Sequence, residues 1–139
     1  VRTGAVLLFS HIPASRIYRY DPQTNRSTLY REDTNQANGL VFDPQGRLYA
    51  CEGGGRRVVR YEADGSTTVL ADGFEGKRLN VPNDVAVDSS GNVLTVQENE
   101  CIVQKFNSTG TKIASWNFEK PWTCQGFRIL DMSTAFEIP

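Results

Sequence analysis

An asparagine recurs at an interval of 45 residues, as Asn38 in Ala37-Asn38-Gly39 and Asn83 in Pro82-Asn83-Asp84. A second polar pair, Glu52 and Gln97, keeps the same interval, and His11 precedes Glu52 by 41 residues. Polar side chains at equivalent strand ends, set around an axis, converge on one spot and build a site from distant pieces of chain. Gln125, in Cys124-Gln125-Gly126, is a candidate third copy of the asparagine position. Glu52 is followed by Gly53-Gly54-Gly55, and residues without a Cβ let a ligand or another stretch of backbone approach closely. His11, the only histidine, can exchange a proton near neutral pH, although a lone histidine more often packs or hydrogen-bonds structurally. Asn83 equally suits an Asx turn and Asn38-Gly39 a simple turn. Arg78 and Asn80 flank the segment leading to Asn83, whereas Arg56-Arg57 reads as a solvent-facing pair at a strand start.

The elements that would position these residues are repeated β-hairpins. Arg16-Ile17-Tyr18-Arg19-Tyr20-Asp21 returns 41 residues later as Arg57-Val58-Val59-Arg60-Tyr61-Glu62, and more loosely as Ile102-Val103-Gln104-Lys105-Phe106-Asn107. Each copy leads into a turn, at Pro22-Gln23-Thr24-Asn25, Ala63-Asp64-Gly65 and Ser108-Thr109-Gly110. A second unit, from Ala37 to Tyr49, matches Pro82 to Leu94, with β-branched and apolar runs on either side of Asp43-Pro44-Gln45-Gly46 or Asp88-Ser89-Ser90-Gly91. Glycine supplies the positive φ of such turns. The nearest approach to a helical pattern, Phe74 to Leu79, is short and bounded by glycine. A period of about 40 to 45 residues holding four short strands is that of a β-propeller blade. The fold class is therefore all-β, with two to three blades, and Tyr18, Tyr20, Tyr49 and Tyr61 are expected to pack between them. A blade buries its faces only against its neighbours, so a few blades alone would leave strand edges and apolar faces in water.

The composition narrows the partners. Fifteen Lys and Arg against sixteen Asp and Glu give a net charge of −1, with no basic stripe, which argues against nucleic acid. No apolar run approaches the length of about 20 residues that spans a bilayer, and Val1 to Phe9 is too short for a signal peptide. The expectation is a soluble chain, cytoplasmic or periplasmic, with no membrane partner, and the missing initiator Met suggests lost upstream sequence. Cys51, Cys101 and Cys124 lack paired metal-site spacing and read as small buried apolar residues.

The segments Leu7-Leu8-Phe9-Ser10-His11-Ile12-Pro13-Ala14, Arg16 to Asp21, Ala37-Asn38-Gly39-Leu40, Gly46 to Glu52 and Gly76-Lys77-Arg78-Leu79-Asn80-Val81-Pro82-Asn83-Asp84 resemble the gluconolactonase, or senescence marker protein 30, family. The resemblance runs from Val6 to Asn92 in the expected order and fades beyond Leu94, with residues 1–130 read as the partial propeller and 131–139 unassigned. It implies a six-bladed propeller with a divalent metal, calcium first, in the central channel, and hydrolysis of sugar lactones or related esters. Asn and carboxylate oxygens suit such a hard cation. The cation would polarise the lactone carbonyl while a carboxylate activates water or orients the substrate. Carried onto this chain, the family pattern makes Asn83 the metal ligand; Asn38, Glu52, Arg78, Asn80 and Gln97 are read beside it as substrate-binding candidates, with Gly76-Lys77-Arg78 equally suited to a solvated turn, and the catalytic residue is left unassigned. Asp84 is expected to fix the loop, and His11 stands where the family usually has Asp. The implied glutamate ahead of this sequence, and a later Asn and Asp, have no counterparts here, so the expectation is a fragment with an incomplete site. Two alternatives stand beside it: a non-catalytic binding module of the NHL type, towards which Ile102 to Trp116 leans, and self-association of partial propellers to close a ring.

Overall fold

The computed structural model describes residues 7–74, 76–97 and 102–117. Cys101, Cys124, Gln125 and the 131–139 tail lie outside them. Strands β1 (Leu7–His11), β2 (Arg16–Asp21) and β3 (Arg26–Arg31) form a three-stranded antiparallel sheet, with a 3-10 turn at Ile12–Ala14. Strands β4 (Ala37–Phe42), β5 (Leu48–Glu52), β6 (Arg57–Tyr61) and β7 (Thr67–Ala71) form a four-stranded sheet in chain order. A ribbon of β8 (Gly73–Phe74) and β9 (Lys77–Arg78) occupies the segment that held the nearest helical candidate. The second four-stranded sheet contains β10 (Pro82–Val87), β11 (Val93–Gln97), β12 (Ile102–Phe106) and β13 (Lys112–Asn117). These are three successive propeller blades. The repeat interval aligns β1 with β5, so the described part of the first blade corresponds to the second, third and fourth strands of the other two.

The hairpins close as their residue types require. Asp43 accepts the backbone N–H groups of Gln45 and Arg47 at 3.0 and 2.9 Å. Asp88 repeats this with Ser90 and Asn92 at 2.9 and 2.8 Å, and Asn107 with Thr109 and Thr111 at 3.1 and 2.9 Å. Each such loop ends on a left-handed glycine, with φ of 81° at Gly46 and 80° at Gly91, a conformation that costs glycine nothing sterically.

Strand β5 shows why the blades need each other. Successive side chains point to opposite faces. Leu48 and Ala50 join Ile17, Val59 and Tyr61 in a core shared with the first blade, whereas Tyr49 and Cys51 join Leu70, Val85, Val93 and Phe106 in a core shared with the third. All five residues of β5 are buried. Arg31 adds a polar tie between the first two blades, donating to the Gly65 carbonyl and the Thr67 hydroxyl at 3.1 and 3.0 Å. Of the four tyrosines expected between blades, Tyr49 and Tyr61 are there. Tyr18 and Tyr20 pair with Phe9 and Leu7 on the face of the first blade turned away from the second, where Tyr18 stacks on Phe9, ring centroids 5.7 Å apart. That face follows from the same alternation, since Leu8, between Leu7 and Phe9, is the residue that packs towards the second blade.

Candidate functional site

Strands β4 and β10 are the first strands of their blades and lie against one another. Each opens with a break in register, between Ala37 and Leu40 in β4 and between Pro82 and Asp84 in β10. Asn38 and Asn83 sit in these breaks. A β-bulge inserts a residue without a paired partner and re-aims its side chain, so two equivalent asparagines are turned out of the alternating pattern at equivalent places. They meet: Asn38 Nδ2 donates to Asn83 Oδ1, and both residues are half-buried. The simple turn considered for Asn38-Gly39 is thus a bulged strand entrance.

The strands approach closely because of Gly39. A Cβ there would lie 2.7 Å from the Asn83 carbonyl oxygen, 2.8 Å from Asp84 Cα and 2.9 Å from Asp84 Oδ1. No side chain fits. From the other side, the Ser10 hydroxyl donates to the Asn38 carbonyl at 3.0 Å. In β10 the Thr95 hydroxyl donates to the Asp84 carbonyl at 3.1 Å, and Asp84 Oδ1 accepts from Val85 N at 2.9 Å.

Glu52 and Gln97 act on the segments that lead into the bulges. Glu52 is buried; its Oε2 accepts from Arg57 Nε at 2.6 Å and Asn35 Nδ2 at 3.1 Å, and its Oε1 from the Tyr61 hydroxyl at 2.9 Å. Gln97, also buried, accepts from the Asn80 backbone N–H and donates to Gln104 Oε1 at 2.6 Å. Asn35 and Asn80 are again 45 residues apart, and each stands three residues before its bulged asparagine. One arrangement is therefore built twice, with a polar residue ending the second strand and holding the lead-in to the first. Between them, Gln36 and Val81 hold equivalent left-handed conformations, φ 57° and 37°; in β-branched Val81 this is genuine backbone strain.

The glycines after Glu52 serve the chain's own backbone. Gly53 N and Gly54 N donate to the Gln36 and Asn35 carbonyls at 3.3 and 2.9 Å, and a Cβ on Gly54 would come within 3.1 Å of the latter. Arg78 donates to the Gly55 carbonyl and Arg56 to the Leu79 carbonyl at 2.7 Å, which clamps the turn after β5 to the segment before β10. Arg56-Arg57 is accordingly not a solvent-facing pair, since the buried Glu52 carboxylate and the Leu79 carbonyl draw both guanidinium groups inward. His11 is exposed at the end of β1, edge-on to Tyr18. Ser10, Asn35 and Gly39 were not singled out from the sequence, yet the interval from Asn35 to Asn80 was legible in it.

The donor chemistry suits a hard cation on one side only. Asn38 and Asn83 present amide oxygens, against the six to eight oxygens that calcium takes. Among the described residues no group of three His, Cys, Asp or Glu side chains gathers to complete such a shell, so these residues do not by themselves make a calcium site.

Comparison with known proteins agrees with this architecture. A gluconolactonase of Zymomonas mobilis is 26% identical over 106 residues, 67% of this chain and 30% of that protein. The structure of a gluconolactonase from Xanthomonas campestris superposes with a TM-score of 0.69 at 25% identity, covering 78% of this chain and 43% of that one. Regucalcin of Agrobacterium tumefaciens, a calcium-binding protein, shares the fold with a TM-score of 0.60 at 21% identity over 73% of this chain and 36% of its own. The chain thus spans less than half the length of each of these relatives. Residues 1–125 match the model of the SMP-30/Gluconolactonase/LRE-like region, and the protein belongs to that family.

Proposed function

We propose that this chain contributes part of a centre that hydrolyses a sugar lactone or related ester. The observation that carries the reading is the meeting of Asn38 and Asn83 at matching bulges on adjoining first strands. An amide carries both a donor and an acceptor, so the pair can bind the hydroxyls and ring oxygens of a lactone once their mutual bond opens. Glu52 and Gln97 support the site through Asn35 and Asn80, whose positions they fix. Arg78 and Asn80, in the segment that leads to Asn83, are read as further partners of substrate hydroxyls.

A divalent cation, calcium first, would take Asn83 Oδ1 as one oxygen donor and polarise the lactone carbonyl when bound. Asn38 Nδ2 already donates to that oxygen, which keeps a second lone pair for a cation. With less than half the length of its relatives, the chain is read as holding one side of the site.

The test is to titrate the 139-residue chain with glucono-lactone, with and without calcium, following side-chain amide resonances, thermal unfolding and turnover above the uncatalysed rate. The expected result is a saturable shift of the Asn38 and Asn83 amides, weakened at least tenfold in Asn83→Ala, and a lactone-dependent rise in melting temperature, because a ligand bound only by the native state must stabilise it. Lactone binding that is absent, or unchanged in Asn83→Ala, sinks the reading. Size measured in the same samples shows whether any turnover belongs to an assembled ring.

A further inference from the structure

A second concave site lies at the other end of the strands. Asn83 is the second residue of β10, whereas Ser89 lies in the turn that follows it, six residues and roughly 20 Å away at strand rise. There the second and third blades leave a cleft of about 240 Å³, lined among others by Arg47, Tyr49, Arg60, Ser89, Ser90 and Ser108. The lining includes two guanidinium groups and three serine hydroxyls, and no carboxylate. The matching acids sit behind it. Arg47 gives its Nε to Asp43 at 2.6 Å, the arginine side chain being 42% exposed and the aspartate 1%. Arg60 gives its Nε to Glu62 at 2.7 Å. These pairs fix the direction of both guanidinium groups and engage each through Nε; the Nη fork of Arg47 is then the edge that can bind an oxyanion bidentately, while Arg60, which also engages the Tyr49 side chain, adds its charge beside it.

The turn amides are unsuited to the task, because Ser90 N and Asn92 N already donate to Asp88. The hydroxyls of Ser89, Ser90 and Ser108 are exposed donors on the opposite wall. At about 30 Å³ per liquid water, the cleft has room for about eight waters, more than a bare tetrahedral anion fills. Tyr49 and Leu70 form its floor and are themselves almost wholly buried, so the remainder faces the open side of the cleft.

We propose that this cleft binds the phosphate of a small phosphomonoester, with Arg47 and Arg60 on one side of the anion, the serine hydroxyls on the other and the organic group at its open side. The site is independent of the lactone reading. It is tested by titrating the full chain with phenyl phosphate at constant ionic strength, following the amide resonances of Ser89, Gly91 and Ser108, with sodium chloride as the control. Saturable shifts are expected with phenyl phosphate alone, and binding should weaken at least fivefold in Arg60→Gln and in Ser90→Asp. The second variant places a negative charge in the cleft while leaving both ion pairs intact, so it holds even if the first fails to fold. Shifts that follow chloride equally, that do not saturate, or that weaken less than fivefold in Ser90→Asp would overturn the proposal.

Discussion

Replacing Gly39 by alanine should separate the two bulged strands. The added Cβ would meet the Asn83 carbonyl oxygen, Asp84 Cα and Asp84 Oδ1 at 2.7, 2.8 and 2.9 Å, where ordinary contact begins at 3.4 Å. Relief therefore requires a displacement of 0.5 to 0.7 Å. Two of the three atoms are backbone, so rotation of a side chain cannot provide it. Overpacking of this kind costs about 1–3 kcal/mol, which for a chain of this size corresponds to a fall in melting temperature of roughly 4–12 °C. The displacement also pulls Asn83 from Asn38, so the coupled side-chain amide resonances should change with it. Gly46→Ala is the control: that glycine has φ 81° but nothing within 4 Å of a Cβ, so its cost is backbone strain of about 1 kcal/mol with the asparagine pair intact. Thermal and urea unfolding of the three proteins, with amide spectra, decide the matter. A Gly39→Ala protein as stable as the parent, with an unchanged asparagine pair, would refute the claim that glycine is required by the approach of β4 to β10.

Other perturbations follow from the buried groups. Arg57→Met leaves the buried Glu52 carboxylate without its charge partner, and loss of one member of such a pair costs about 3–5 kcal/mol; urea unfolding should show this, with much of the loss recovered when Glu52→Gln is added. Burial opposes ionisation of Asp43, yet hydrogen bonds from Arg47 and the Tyr49 hydroxyl outweigh it and hold the carboxyl below its usual value of 3.8. Its contribution to stability is therefore present above that value and lost as pH falls through the lower folded one, so Asp43→Asn should flatten the acid limb of a melting-temperature profile between pH 5 and pH 2. Burial pushes the Cys51 thiol up to about 12, and only the thiolate is nucleophilic. Peptide-mapped alkylation at pH 8 should leave Cys51 unmodified in the native chain and label it in urea.

Much of this architecture is local and was therefore legible along the chain. The Asp43 and Asp88 turns need only a carboxylate able to accept backbone N–H groups and a glycine able to take positive φ, and both are written within five residues. The 45-residue interval likewise identified Asn38 with Asn83 and Glu52 with Gln97 before any coordinates. The arginines were less legible. Arg56 and Arg57 look like surface charge in one dimension, and the Leu79 carbonyl and Glu52 carboxylate that engage them come from other segments or from the far side of a turn.

By itself, the sequence determined the strand period, the turns, the repeat and hence the blade, because each depends on residues near in chain or on a regular interval. Only the tertiary structure decided which polar residues face one another. The bulges that aim Asn38 at Asn83, the closeness that Gly39 permits, the turning of Glu52 towards Arg57 and Tyr61, and the gathering of Arg47 and Arg60 opposite three serines all arise between strands or between blades. Side-chain direction there is set by register and by the packing of one sheet on the next, and neither is a property of any single segment.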